Sequence, residues 1–149
     1  MSIPDLTEEG FLPAGIYDCT LDEVESVFGR FQKSERRVQL AKNLREFVAE
    51  LINAKIGNWL LIDGSYVTIK EEPGDIDIVL VLPEDFDLSA ELTPTEYNLI
   101  SNRVVKRKYD FHLFITLENS GEYVDIVDFF QRVMQRPDLR KGLLRLALC

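Results

Sequence analysis

Cysteine and histidine are scarce in this chain of 149 residues, with two of the first and one of the second. Cys19 and Cys149 stand near opposite ends with no metal-type spacing around either. Nothing therefore points to a disulfide framework or a cysteine-rich zinc site, and both read as ordinary thiols. Long apolar runs are absent too: none approaches the roughly 18–20 residues that span a bilayer. Met1-Ser2-Ile3-Pro4-Asp5 lacks the basic start and apolar centre of a secretory leader, so the expectation is a cytoplasmic protein with no membrane partner. Basic residues are outnumbered 17 to 26, for a net charge of −9 and a pI near 4.6. That argues against broad nucleic-acid binding, which needs a cationic surface to displace phosphate counterions. A local basic groove stays open. What is present is ordinary globular composition, 46% hydrophobic and 29% charged, in a length that suits one domain with a real core.

Residues 1–33 read as a lead-in punctuated by Pro4, Gly10, Pro13, Gly15 and Gly29, an N-terminal extension on a single domain spanning 1–149. Thr20 followed by Leu21-Asp22-Glu23 predicts a capped helix over about 21–28. The clearest helix starts near Ser34 and stops before Gly57. Its apolar stripe is Leu40, Ala41, Leu44, Phe47, Val48, Leu51 and Ile52, with Arg37, Lys42, Arg45, Glu46 and Glu50 mostly opposite. Trp59 to Ile62 is a short continuous apolar run of the kind a buried strand shows, and it ends at Asp63-Gly64-Ser65. A second run, Ile76 to Leu82, follows Pro73-Gly74 and closes at Pro83. Thr93-Pro94 opens a helix to about Lys106. Tyr109 to Leu117 reads as a third strand, Ser120-Gly121 as a turn, and Tyr123 to Met134 as a helix ended by Pro137. The last apolar segment, Leu143 to Leu148, suits either strand or helix.

The chemistry lies in the order strand, Gly-Ser turn, strand bearing Asp-x-Asp, helix, strand with another aspartate. Gly64 carries no Cβ, so backbone amides there can approach phosphate oxygens closely, and Ser65 adds a hydroxyl. Asp75 and Asp77 are two apart; on a strand they project to one face, roughly 7 Å apart. Two bare carboxylates at that distance repel by about 2 kcal/mol at an effective dielectric near 20, and a hard divalent cation offsets this. Asp110 on the third strand makes a third acid and permits a two-metal arrangement, with Asp110 as general base or ligand of the ion activating the nucleophile. The plain alternative is turn chemistry after Pro73-Gly74.

The segments Leu61-Ile62-Asp63-Gly64-Ser65-Tyr66-Val67-Thr68 and Pro73-Gly74-Asp75-Ile76-Asp77-Ile78-Val79-Leu80 resemble the polymerase-β-like nucleotidyltransferase superfamily, and within it a group of small bacterial proteins. The ends are similar to that group as well, through Ile3-Pro4-Asp5, Glu8-Glu9-Gly10-Phe11-Leu12-Pro13-Ala14-Gly15-Ile16, Phe129-Phe130-Gln131-Arg132 and Arg140-Lys141-Gly142. The resemblance implies an α/β (α+β) fold with a mixed central sheet flanked by helices. It implies phosphate binding at Gly64 and Ser65, Mg²⁺ or Mn²⁺ at Asp75, Asp77 and Asp110, and help with the triphosphate or acceptor from Arg140 and Lys141. Tyr66 to Gly74 is one residue shorter than is usual between the two elements, which bears more on the phosphate grip than on the acids.

The implied activity is transfer of a nucleoside monophosphate, AMP from ATP first, to a hydroxyl of a protein, a small molecule or RNA; the acidic balance weighs against RNA. Partners in such groups are often encoded alongside, in toxin–antitoxin or phage-defence pairs, and an acceptor platform from such a partner or a homodimer mate is expected. The alternative is a non-catalytic nucleotide-binding or protein-interaction module, antitoxin-like, on the same fold. His112 reads as a satisfied, partly buried histidine sharing a face with Asp110, and Lys70 as solvated surface. Asp125 and Asp128 read as acids of a helix's first turns, and Phe111, Phe114, Phe129 and Phe130 as core.

Overall fold

Uninterrupted apolar runs form the centre of a sheet covered on both faces. The structure, a computed structural model, describes residues 3–29, 34–70, 73–74 and 76–148. Strand β2 (Trp59–Asp63) pairs antiparallel with β3 (Asp77–Leu82), in a register that sets Asp63 opposite Asp77. The open question at the C-terminus resolves as a strand: β7 (Leu143–Ala147) pairs antiparallel with the other side of β2. At the edges, β1 (Ile16–Cys19) lies parallel to β7 and β4 (His112–Leu117) parallel to β3. The sheet is therefore mixed, ordered β1-β7-β2-β3-β4, and the N-terminal lead-in is woven into it.

Burial on both faces explains why β2 and β3 are apolar without alternation. Leu60, Ile62, Ile78, Leu80 and Leu82 pack under α2 (Glu35–Ala54), while Leu61, Val79 and Val81 meet Phe130 and Ile126 of α5 (Gly121–Gln131). In α2, Ser34 caps the first turn by accepting the Arg37 amide. The expected stripe needs two corrections. Ile52 is half exposed, whereas Arg37 is fully buried, because Arg37 falls three and four residues before Leu40 and Ala41 and so lies in phase with the apolar side.

Other boundaries shift for local reasons. Helix α1 (Leu21–Val24) has the Thr20–Glu23 capping box and widens into a π turn over Glu25–Gly29. The single helix expected from Thr93 to Lys106 is two, α3 (Pro94–Ile100) and α4 (Asn102–Tyr109), because extended Ser101 ends one and caps the next through its hydroxyl. Tyr109 closes α4, and Asp110 caps it at φ 65°. The third strand accordingly begins at His112 rather than Tyr109. After α5 the chain does not stay helical to Met134: β5 (Arg132–Val133) and β6 (Arg136–Arg140) form a hairpin, with Gln135 at φ 65° in its turn. Pro137 sits in this two-stranded ribbon, where an absent N–H is tolerated. Among the described residues, no helix is long and apolar enough to cross a membrane.

Gly142 joins the two ends of the chain. Its amide donates to Leu12 O and the Leu143 amide to Gly15 O, while the Tyr17 hydroxyl donates to Pro13 O at 2.8 Å. A Cβ on Gly142 would stand 2.3 Å from Pro13 O and 2.7 Å from the Tyr17 ring. Gly142→Ala is expected to destabilise the protein by about 1–3 kcal/mol through overpacking, read as a lower urea midpoint; an unchanged midpoint would show that the N-terminal loop yields freely.

Candidate functional site

One end of the sheet gathers the end of β2 and the starts of β3, β4 and β7. Asp63 is the last residue of β2 and Asp77 the first of β3. By strand alternation both project to the face that also carries Leu61 and Val79, the face covered by α5. Gly64 leaves the strand at φ 92°, ψ −178°, a conformation that glycine alone enters without strain. A short 3₁₀ turn, Ser65–Val67, follows. The Ser65 hydroxyl accepts the Gly74 amide at 3.0 Å, tying the Gly-Ser turn to the turn before the second acid segment. Asp75 lies outside the described residues.

Asp63 was not among the residues singled out from sequence, and it is the most unusual acid among the described residues. Its residue is 4% exposed; Oδ2 meets Lys141 Nζ at 3.2 Å, and Oδ1 has no hydrogen-bond partner. Burial pushes its carboxyl up to about 6, against the pull of Lys141 and with a small addition from Asp77. Across the strand pair, His112 Nδ1 stands 3.4 Å from Asp77 Oδ1. His112 therefore faces the second acid of the pair, not Asp110. Asp63, Asp77 and Lys141 open on a cleft of about 200 Å³ that is also lined by Phe129, Phe130, Arg132 and Met134.

The raised value has a stability consequence with a definite sign. Folded Asp63 holds its proton to about pH 6 and unfolded Asp63 only to its ordinary 3.8. Its contribution is therefore most favourable below pH 4, and it is lost as the pH rises to 6. At 1.36 kcal/mol per unit, the loss is about 3 kcal/mol. Urea unfolding in chelator from pH 4 to 7 is expected to show this decline in the parent and not in Asp63→Asn. Parallel pH profiles for the two proteins would refute the assignment.

Asp110 is held elsewhere than expected. From its cap position it meets Arg36 at 2.7 Å and Lys106 at 3.0 Å. Burial pushes its carboxyl up, but the bonds from Lys106 and Arg36 outweigh that and leave it below the usual carboxylate range. Arg36 also donates to Pro73 O and Gly74 O, each at 3.1 Å. Asp110 thus anchors an arginine that holds the Pro73-Gly74 turn. Among the described residues, no three acid, histidine or cysteine side chains gather as a metal-binding group.

Arg37 organises the other turn. Its guanidinium donates to the carbonyls of Phe28 at 3.1 Å, Ser65 at 3.4 Å and Thr68 at 2.8 Å, and also to those of Tyr66 and Lys70. Five backbone carbonyls around the Gly-Ser segment therefore converge on one buried side chain. The sequence carried a signal for this in Arg37's phase with the apolar stripe of its helix.

At the C-terminal end, Lys141 and Arg140 separate in role. Lys141 enters the cleft, while Arg140 turns to Asp128 at 2.6 Å. Asp128 also binds Arg132 at 2.5 Å. Since α5 starts at Gly121, Asp128 belongs to its last turns rather than its first, where it fastens the hairpin to the helix. Phe111 and Phe130 are core as expected, but Phe114 is 38% and Phe129 57% exposed. Comparison with curated proteins and with solved structures finds no match. Over residues 4–147 the chain matches DUF6932, described as a family of unknown function, and it belongs to that family.

Proposed function

We propose that this protein is a Mg²⁺-dependent nucleotidyltransferase that moves a nucleoside monophosphate, AMP from ATP first, onto a hydroxyl acceptor and releases pyrophosphate. The observation that carries the reading is the pair Asp63–Asp77, opposed across β2 and β3 immediately before the Gly64-Ser65 turn, with the buried Asp63 Oδ1 lacking a hydrogen-bond partner. Such an oxygen suits a hard cation, since buried acceptors are rarely left unsatisfied. Mg²⁺ asks for only one or two carboxylates and takes its other ligands from phosphate and water, so the donor set fits Mg²⁺ or Mn²⁺.

In this reading Asp77, with Asp75 two residues before it, would hold the ion. Asp63 becomes the third acid, because Asp110 is engaged by Arg36 and Lys106. Bound there, the ion would neutralise triphosphate charge as pyrophosphate departs. Gly64 exposes backbone to the phosphates, Ser65 adds its hydroxyl, and Lys141 supplies a cation beside them. The acceptor oxygen forms its bond to the α-phosphorus in line with the breaking bond to the β-phosphate oxygen, and pyrophosphate leaves with that electron pair. In this reading the acceptor's proton passes to the Asp63 carboxylate. The chain's net charge of −9 favours a protein side chain or small molecule over RNA as acceptor. A protein encoded alongside, or a second copy of the chain, would present it.

One observation favours a second reading, a nucleotide-binding or interaction module without turnover: Lys141 is paired with Asp63 at 3.2 Å. Incubation with Mg²⁺ and each α-³²P-labelled nucleoside triphosphate, with and without lysate, separates the two. Label on protein, RNA or a small molecule supports transfer. Nucleotide binding without label on any acceptor favours the module, and neither binding nor label refutes both.

A further inference from the structure

The cleft beside Asp63 and Asp77 is too small for the ligand it would serve. Sites that bury a drug-sized molecule run to about 300–1,000 Å³, whereas this cleft holds about 200 Å³. The space suits phosphates among Lys141 and the acids, and it leaves a nucleoside to lie over the rim. That rim is apolar: Phe129 is 57% and Met134 83% exposed, and both line the cleft.

Phe129 is held rather than loose. Its ring meets Phe130 edge-on at 5.3 Å and 80°. Phe130 is buried and meets Phe114 of β4 edge-on at 5.1 Å and 68°. The three rings form a braced series that leaves the Phe129 ring exposed beside a charged cleft, so a planar group landing there loses little entropy to ordering. Arg132 also lines the cleft, tied to Asp128 at 2.5 Å. An apolar ring in a cleft that also holds Arg132 and Lys141 matches a nucleobase joined to phosphates.

Resting on the nucleotidyltransferase reading, we propose that Phe129, flanked by Met134, is the stacking platform for the nucleobase of the bound triphosphate. The residue touches the base and not the reacting phosphorus. Its contribution therefore appears in the difference between a nucleotide and a bare polyphosphate.

Calorimetric titration in Mg²⁺ with ATP and with inorganic tripolyphosphate tests this on the full chain and on Phe129→Ala and Phe129→Trp. The parent is expected to bind ATP roughly tenfold more tightly than tripolyphosphate. Phe129→Ala is expected to abolish that difference while binding tripolyphosphate as the parent does, and Phe129→Trp to keep it. Equal affinity of the parent for both ligands overturns the platform and leaves the phosphate site standing. Unchanged ATP affinity in Phe129→Ala does the same, and lost transfer in that variant would then assign Phe129 to the acceptor. Weaker tripolyphosphate binding in Phe129→Ala overturns it as well, by showing a general disturbance of the cleft. If the parent binds neither ligand, the platform and the nucleotide reading fall together.

Discussion

Arg37→Leu is expected to lower the free energy of unfolding by about 3–5 kcal/mol, which is much of the total for a domain of typical stability. Leucine fills part of the volume and suits the apolar side of α2, so the cost is not chiefly a cavity. It comes from the carbonyls of Phe28, Ser65, Tyr66, Thr68 and Lys70, which all accept from the buried guanidinium. Each buried acceptor left unsatisfied costs about 1–3 kcal/mol, moderated where the loop can open to water. Arg37→Lys would not restore the site, because a point ammonium with three donors cannot span a fan of carbonyls as a planar fork does. Urea denaturation gives the magnitude. Hydrogen exchange over 65–70 should accelerate in Arg37→Leu beyond the change elsewhere. A loss under about 1 kcal/mol would show that water replaces the guanidinium without penalty.

The second large effect separates two acids that look alike in sequence. On the proposed activity, Asp75→Ala/Asp77→Ala should cut nucleotidyl transfer by roughly 100- to 1,000-fold, the scale of removing electrostatic stabilisation at a reacting phosphate. Asp77 has a 19% exposed side chain facing Asp63 and His112. Asp110, 41% exposed and paired with two cations, is a surface ion pair of the sort worth about 0–1 kcal/mol. Asp110→Asn should therefore slow transfer less than about tenfold, through a looser Pro73-Gly74 turn. A fall as deep as the double variant's would return the third-acid role to Asp110 and remove it from Asp63. Initial rates with labelled triphosphate distinguish the cases.

Much of the scaffold was legible because its signals are local. The runs Trp59–Ile62 and Ile76–Leu82 are apolar without alternation, and strands buried on both faces need that. Thr93-Pro94 starts a helix through contacts that close within one turn. Gly64 follows a strand at a point where the backbone needs positive φ. Boundaries were less legible where two local options compete. Tyr109 to Leu117 alternates or runs apolar enough for one strand, and Asp110 divides it by entering the left-handed region as a helix cap.

The site was legible in part. Asp77, Gly64, Ser65 and Lys141 could be named from spacing and resemblance, and the structure brings Asp77 and Lys141 to one cleft. Asp63 could not be distinguished from an ordinary strand-end residue, since its partner depends on antiparallel register between segments far apart in the chain. The same holds for Arg37, four of whose five carbonyl partners lie some thirty residues on, and for Phe129, which is exposed because α5 stops at Gln131 and turns into a hairpin. By itself the sequence determined the central strands β2 and β3, the long helix α2, the capped helix starts and which residue types could meet a phosphate or an ion, because periodicity, caps and steric freedom act over a few neighbouring residues. Which acids face each other, which is taken by an arginine, and which ring stays open were decided only by the tertiary structure, since strand pairing and packing bring together groups that share no local signal.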